Sequence, residues 1–220
     1  METMTGTHEQ STFKELTFGG STSVMTGGAA AGVLAIVALA GVAPEYLVAV
    51  AAIALGVAML LEGGFIASEY GKILNGGGDG GRRAKIELGG GLSGEALAGV
   101  ASIVLGVLAL LGVVPAVLVS IAAIVLGAGQ MFGSGITSRL NALKIDASSE
   151  HETAKQVASE AMTAATGLQL LVGLAAVVLG ILALVGLEPL TLDLVAMLAL
   201  GSSFLLSGGA IAGRVLSYFA

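Results

Sequence analysis

Four polar residues could carry chemistry inside an otherwise apolar chain: Glu62, Glu95, Gln130 and Gln169. A carboxyl group buried in a membrane is costly and usually functional, but Glu62 lies about 27 Å along its helix from Pro44, near the far end. Glu95 has a matching depth on the next helix. Contact with water is the simplest interpretation of both glutamates, and a vestibule or a lipid-headgroup contact is the alternative.

The two glutamines are interpreted differently because they lie within apolar segments. A hydrogen bond between helices is the simplest role for Gln130 and Gln169, and binding of a polar solute or a quinone head is the alternative. The hydroxyls of Ser102 and Ser120 are expected to bond to carbonyls of their own helices. No ionisable residue is predicted near the middle of a membrane span.

Other kinds of site find little support. The chain has no Cys and two His, His8 and His151, both in polar stretches, so thiolate chemistry is excluded and metal chemistry is disfavoured. The segment NGGGDGG at 75–81 lacks the Gly-Lys-Ser/Thr ending of a phosphate-binding loop. We therefore predict no enzyme, no catalytic residue, no cofactor and no metal.

The composition indicates an integral membrane protein. Of 220 residues, 55% are hydrophobic, 11% are charged and 35 are Gly, whereas a soluble domain has roughly 25% charged residues. A net charge of −6 argues against nucleic-acid binding, which needs a basic surface.

Three long apolar runs each contain one proline in the middle: Pro44, Pro115 and Pro189. Because one membrane span needs about 20 apolar residues, each run makes two spans. We predict an all-α membrane protein whose six transmembrane helices form three tandem repeated helical hairpins. The predicted spans are 25–43, 46–66, 96–114, 116–136, 167–187 and 190–211.

The repeat is visible as small residues at fixed offsets from each proline. They lie three residues before it, twelve after, sixteen before and nine before: Gly41, Gly112 and Gly186; Gly56, Gly127 and Gly201; Gly28, Gly99 and Gly173; Ala35, Gly106 and Gly180. The Gly-x-x-Pro corner is typical of a helix that ends at glycine before another begins at proline.

Basic residues indicate the orientation. All nine lie in the termini or the two long connections between hairpins: Lys14, Lys72, Arg82, Arg83, Lys85, Arg139, Lys144, Lys155 and Arg214. The positive-inside rule therefore places both termini in the cytoplasm and the corners, with Glu45, Glu188 and Asp193, on the opposite side. A cleaved signal peptide is not expected.

The chain then divides into hairpins and cytoplasmic segments. These are an N-terminal segment 1–23, hairpin 24–66, a linker 67–95 containing NGGGDGG, hairpin 96–136, a largely helical connection 137–166, hairpin 167–213 and a C-terminal end 214–220. Candidate capping boxes at Ser149 with Glu152 and at Thr12 with Glu15 predict helix starts. The first of these helices would run on into the fifth span, and the second and fourth spans would extend a few turns beyond the membrane.

Glycines also recur at seven-residue spacing, as in Gly99 with Gly106 and Gly173 with Gly180. Small residues let membrane helices approach closely, so these faces are expected to pack the hairpins within one chain. The alternative is that some of them face outward and build a homo-oligomer.

The second and third hairpins resemble the short repeat of HdeD-type acid-resistance membrane proteins. The matching residues are Gly106 to Leu110 with Pro115, Gly127 and Gly135, and Gly180 to Leu184 with Pro189, Gly201 and Gly208. The first hairpin has Ala35 in place of the glycine, and the resemblance covers about 24–213. It implies three hairpins, an inner (cytoplasmic) membrane location and a role in acid or stress resistance, but no site residues.

Two functions follow as hypotheses. The leading one is a non-enzymatic structural membrane protein that modifies permeability or anchors a soluble or membrane protein partner on its cytoplasmic face. The alternative is a channel or transporter for a small neutral or weakly polar solute, with a cavity lined by Gln130, Gln169 and serines. The lipid bilayer is the expected environment in both.

Overall fold

The computed structural model describes the backbone of residues 24–74, 80–147 and 152–217, and the side chains of residues 24–62, 94–134 and 167–207. Within these ranges the chain is helical except at three short corners. The helices are α1 Val24–Leu39, α2 Pro44–Leu74, α3 Gly80–Leu110, α4 Pro115–Ala147, α5 Glu152–Leu184 and α6 Pro189–Ser217. The prediction of an all-α membrane protein is confirmed at this level.

Four helices contain segments long and apolar enough to cross a membrane. These segments are Pro44–Glu62, Pro115–Ser134, Gly167–Leu184 and Pro189–Ser207. Two shorter apolar segments, Val24–Leu39 in α1 and Gly94–Leu110 in α3, accompany them. Most of the described side chains therefore belong to these apolar helical segments, which indicates a membrane-embedded protein.

The corners have the predicted glycine-to-proline form. Their glycines have φ angles of 92°, 82° and 93°: Gly41, Gly112 and Gly186. In the first corner the Gly41 N–H donates to the carbonyl of Ala38, and the Val42 N–H donates to that of Val37. This is the Schellman arrangement, and the other two corners repeat it. Pro44, Pro115 and Pro189 are each the first residue of the next helix.

One feature of the corners is not predicted from the sequence. The residue before each proline also has a positive φ, of 39°, 37° and 40°: Ala43, Val114 and Glu188. A following proline disfavours the right-handed helical conformation, so the chain does not simply continue as helix at this point.

The long helices that were predicted beyond the spans are present. α2 continues to Leu74, α4 to Ala147, and α5 runs unbroken from Glu152 to Leu184. α3 begins earlier than expected, at Gly80 inside NGGGDGG, because the following RRAKIEL consists largely of good helix formers. Ser149, Thr12 and Glu15 of the candidate capping boxes lie outside the described residues.

The helices pack as an inner group and an outer group. α2, α4 and α6 all contact one another, whereas α3 contacts α2 and α4, and α5 contacts α4 and α6. α1 fills the corresponding place between α2 and α6, because Gly27 lies against Ala58 and Gly28 lies against Gly201. Burial agrees with this division, since half of the α4 segment is buried but only 22% of the α5 segment.

Three glycine pairs join neighbouring hairpins, each linking a glycine twelve residues after one proline to a glycine sixteen residues before another. The pairs are Gly56 with Gly99, Gly127 with Gly173, and Gly201 with Gly28. A Cβ atom on Gly173 would lie 2.7 Å from the carbonyl oxygen of Gly127, so no side chain fits there. The prediction that glycines at seven-residue spacing pack within the chain is confirmed for Gly99 and Gly173, and also for Gly106 and Gly180, which lie against Ile53 and Ile124.

The inner helices bury one side chain each at regular offsets from their prolines. The residues four positions after the prolines are Val48, Val119 and Asp193. Those eleven positions after are Leu55, Leu126 and Leu200, and those fifteen positions after are Met59, Gln130 and Phe204. Exposure is at most 3% for all nine. We call these sets the Asp193 layer, the leucine layer and the Gln130 layer. Their spacing is that of coiled-coil core positions.

The glycine contacts predict a position-dependent effect of the smallest substitution. Gly173→Ala should destabilise the bundle by about 1–3 kcal/mol, because its methyl group meets the backbone of α4 rather than a movable side chain. Gly167→Ala on the same helix has nothing within 4 Å of the added atom and should be neutral or slightly stabilising. Unfolding of both variants in detergent micelles compares them, and equal stability would contradict this account of the packing.

Candidate functional site: two groups of buried polar side chains

The first group lies at the corner end of the bundle and centres on Asp193. Asp193 is the fifth residue of α6 and is only 1% exposed. The Ser120 hydroxyl of α4 donates a hydrogen bond of 2.8 Å to Oδ2 of Asp193. The other carboxyl oxygen, Oδ1, has no hydrogen-bond partner. A polar oxygen is therefore buried here with unused bonding capacity.

From the sequence, Asp193 is grouped with Glu45 and Glu188 as a corner residue, and its burial is not predicted. Glu45 and Glu188 are indeed exposed, but Asp193 lies inside the apolar segment Pro189–Ser207. The offset of four residues from proline explains the difference. The same offset in the other hairpins holds Val48 and Val119, which are both 2% exposed, so the position faces the bundle interior.

A cavity of about 310 Å³ adjoins Asp193 at this end. Its walls come from the starts of all three inner helices, including Val48, Val119, Pro115 and Pro189, and most of them are apolar. Two acidic residues, Asp193 and Glu45, also line the cavity. A mostly apolar pocket with one or two placed polar groups is the usual form of a small-molecule site.

The second group lies towards the opposite end and centres on Glu95 of α3. Glu95 is 3% exposed, and its carboxyl packs against Gly133 of α4, where a Cβ atom would come within 2.9 Å of Oε1. Its Oε2 has no hydrogen-bond partner. Glu62 of α2 is partly buried and lies close enough to Glu95 for the two carboxyls to interact electrostatically.

The expectation that water surrounds these glutamates is wrong for Glu95. The reason is the absence of a side chain at Gly133, which leaves room for a carboxyl between α3 and α4. The predicted equal depth of Glu62 and Glu95 agrees with their electrostatic interaction. The two sequence candidates are thus brought together, with Glu95 buried and Glu62 partly buried.

Gln130 joins this second group from α4. Its Nε2 donates a 2.8 Å hydrogen bond to the Ser203 hydroxyl of α6, which confirms the predicted bond between helices. Its Oε1 has no hydrogen-bond partner. Gln169 lies on the outer helix α5 and is only partly buried, so it does not fill the same role.

The two serines differ from each other. Ser120 also lies 2.9 Å from the carbonyl of Ala116 in its own helix, as predicted. The Ser102 hydroxyl instead donates to the carbonyl of Ala52 on α2, at 2.9 Å. The expectation for Ser102 is therefore wrong, because a close approach of α3 to α2 offers its hydroxyl a carbonyl on another helix.

The leucine layer separates the two groups. Leu55, Leu126 and Leu200 are all 0% exposed, and Leu200 lies seven residues, or about 10 Å, beyond Asp193 along α6. Gly133 lies fourteen residues further along its helix than Val119 of the Asp193 layer, which places the two carboxyl sites roughly 20 Å apart. Polar groups thus lie on both sides of an apolar layer.

The charges in this region are all of one sign. The residues whose side chains are described include Glu45, Glu62, Glu95, Glu188 and Asp193, and they include no Lys or Arg. Unpaired carboxyl oxygens in such surroundings can accept a proton or the N–H groups of a cation. Binding and release of cations or protons is the chemistry that this arrangement favours.

The bond between Gln130 and Ser203 predicts a double-mutant result. Ser203→Ala should destabilise the protein by about 1 kcal/mol, because the buried amide of Gln130 loses its partner. The neighbouring Ser202→Ala should have little effect, because that hydroxyl is exposed and bonds to Leu198 of its own helix. Adding Gln130→Leu to Ser203→Ala should recover most of the loss. Unfolding midpoints in detergent measure all three, and additive losses would contradict the bond.

Comparison with known proteins gives no relatives. No protein-family model matches the chain, no curated protein matches it, and no solved structure matches it. The resemblance to HdeD-type proteins therefore stays a prediction from the sequence.

Proposed function

We propose that this chain is a six-span membrane protein of three tandem hairpins, with both termini and the long connections in the cytoplasm. The equivalent corners and the three equivalent glycine pairs support the repeat. The apolar helix α1, Val24–Leu39, is shorter than the four long apolar segments. Its Gly28 nevertheless lies against Gly201 of α6, so α1 reaches the depth of that glycine in the α6 span. An inner-membrane location rests on the HdeD resemblance alone.

We further propose that the protein is not an enzyme and that it moves protons or small cations across the membrane. The observation that carries this is the presence of unpartnered buried oxygens on Asp193, Gln130 and Glu95. Burying a polar group without a partner costs free energy, and such groups inside a membrane usually mark an ion or proton pathway. A purely structural bundle would be more stable with apolar residues at these positions.

The leucine layer gives this function a closed state. Passage from the Asp193 end to the Gln130 end requires the three inner helices to separate by enough to admit water or a cation. The layer would then be the gate, and the carboxyl groups on either side would be the binding positions. The acidic character of both ends favours cations over the neutral solute that the sequence suggested.

The alternative remains a structural or anchoring protein. The close glycine contacts and the tightly filled leucine layer favour it, since both describe a sealed bundle. The extensions of α2 to Leu74 and α4 to Ala147, and the start of α5 at Glu152, would then supply the cytoplasmic surface for a soluble or membrane partner. A homo-oligomer, and a role in acid or stress resistance, remain proposals under both functions.

Proton and cation flux into liposomes containing the purified protein separates the two functions. We expect flux above that of protein-free vesicles, measured with an enclosed pH dye under a potassium diffusion potential. Asp193→Asn and Glu95→Gln should each reduce it by about tenfold or more, since each removes a pathway carboxyl. Glu188→Gln, an exposed corner carboxyl, is the matched control and should leave flux unchanged.

A smaller side chain in the leucine layer should have the opposite effect on flux. Leu126→Ala removes part of a fully buried side chain and should raise the flux. If neither the natural protein nor Leu126→Ala conducts more than empty vesicles, the transport proposal fails and the structural alternative stands.

A further inference from the structure

The cavity at the corner end has features that favour one class of cation. It is formed where α2, α4 and α6 begin, and Asp193 lies in its wall. Ser120 donates to Oδ2 of this lining residue, and the buried oxygen Oδ1 has no hydrogen-bond donor. A ligand that supplied an N–H group would satisfy it.

The rest of the wall favours an apolar body on that ligand. Val48, Val114, Val119 and Leu190 line the cavity together with two prolines. Ca²⁺ takes six to eight oxygen ligands, and two carboxyl groups supply at most four. An aliphatic group buried against these valines would instead be stabilised by the removal of its apolar surface from water.

The charges around the cavity do not make it an anion site. Pro115 and Pro189 have no N–H, and two N–H groups of the following turns already have acceptors. The Leu118 N–H donates to the carbonyl of Val114, and the Leu192 N–H donates to that of Glu188. The acidic side chains therefore determine the sign of the ligand.

We propose that this cavity binds a small amphipathic primary ammonium ion, with its NH₃⁺ group on Oδ1 of Asp193 and its hydrocarbon against the valines. The volume of about 310 Å³ is at the lower end of the range for small-molecule sites, which suits an alkyl or cycloalkyl amine. The inference names a cation class for the corner end of the proposed pathway. It depends on that pathway only for the ligand's onward movement.

The absence of Cys from the sequence allows a direct test of occupancy. Val114→Cys places a single thiol on the cavity wall, and Val113→Cys places one on the adjacent exposed residue, which is not among the lining residues. Cyclohexylammonium should slow modification of the first thiol by methyl methanethiosulfonate in detergent solution. It should leave modification of the second unchanged.

Two comparisons identify the charge interaction. Cyclohexanol, which matches the ring but lacks the charge, should protect Val114→Cys at least tenfold less effectively. Asp193→Asn in the Val114→Cys chain keeps an acceptor for Ser120 and the side-chain volume, and it should abolish protection by the ammonium ion. Equal protection by the alcohol and the ammonium ion, or full protection in Asp193→Asn, would overturn the proposal.

The first comparison needs no change at Asp193, so it decides the matter even where that variant folds poorly. Liposome flux without thiol protection would keep the transport function and reject this site. Protection without flux would keep the site and reject transport.

Discussion

Contact between the backbones of neighbouring hairpins is the constraint on which this bundle depends. At each of the three glycine pairs neither helix has a side chain, so the carbonyl oxygen of each glycine lies within 2.8 Å of the place where its partner's Cβ atom would be. Within lipid, burying leucine gives little driving force for association, and such close approach supplies packing contacts instead. Because all three pairs lie at equivalent positions, the inner helices are held at a common depth.

That common depth aligns the layers of the core. Fully buried leucines occupy one set of equivalent offsets, while Asp193 and Gln130 each appear as a single polar residue among apolar residues at equivalent offsets. A polar residue in one hairpin only cannot be satisfied by an identical partner in the other two. This asymmetry explains why Oδ1 of Asp193 and Oε1 of Gln130 are left without hydrogen bonds. The residues that could carry chemistry, these two and Glu95, therefore lie on α3, α4 and α6.

The sequence predicted features that depend on local rules and missed those that depend on the rotation of a helix about its axis. The Gly41 and Pro44 corner follows from backbone preferences, and the bond made by Gln130 follows from its apolar surroundings. The burial of Asp193 requires knowing that its offset from proline faces the axis, although Val48 and Val119 at the same offset carried that signal. The pocket for Glu95 depends on Gly133, a residue in the next helix, and no local pattern connects the two.

The packing of α1 between α2 and α6 has a consequence for how the protein is made. Helices enter the membrane in the order of synthesis, so one side of the α1–α2 hairpin stays exposed to lipid until α6 has been synthesised and inserted. Only then can Gly28 meet Gly201 and close the ring. A circularly permuted chain, with its present ends joined and new ends at one corner, would form the same bundle, but a different pair of helices would pack together last.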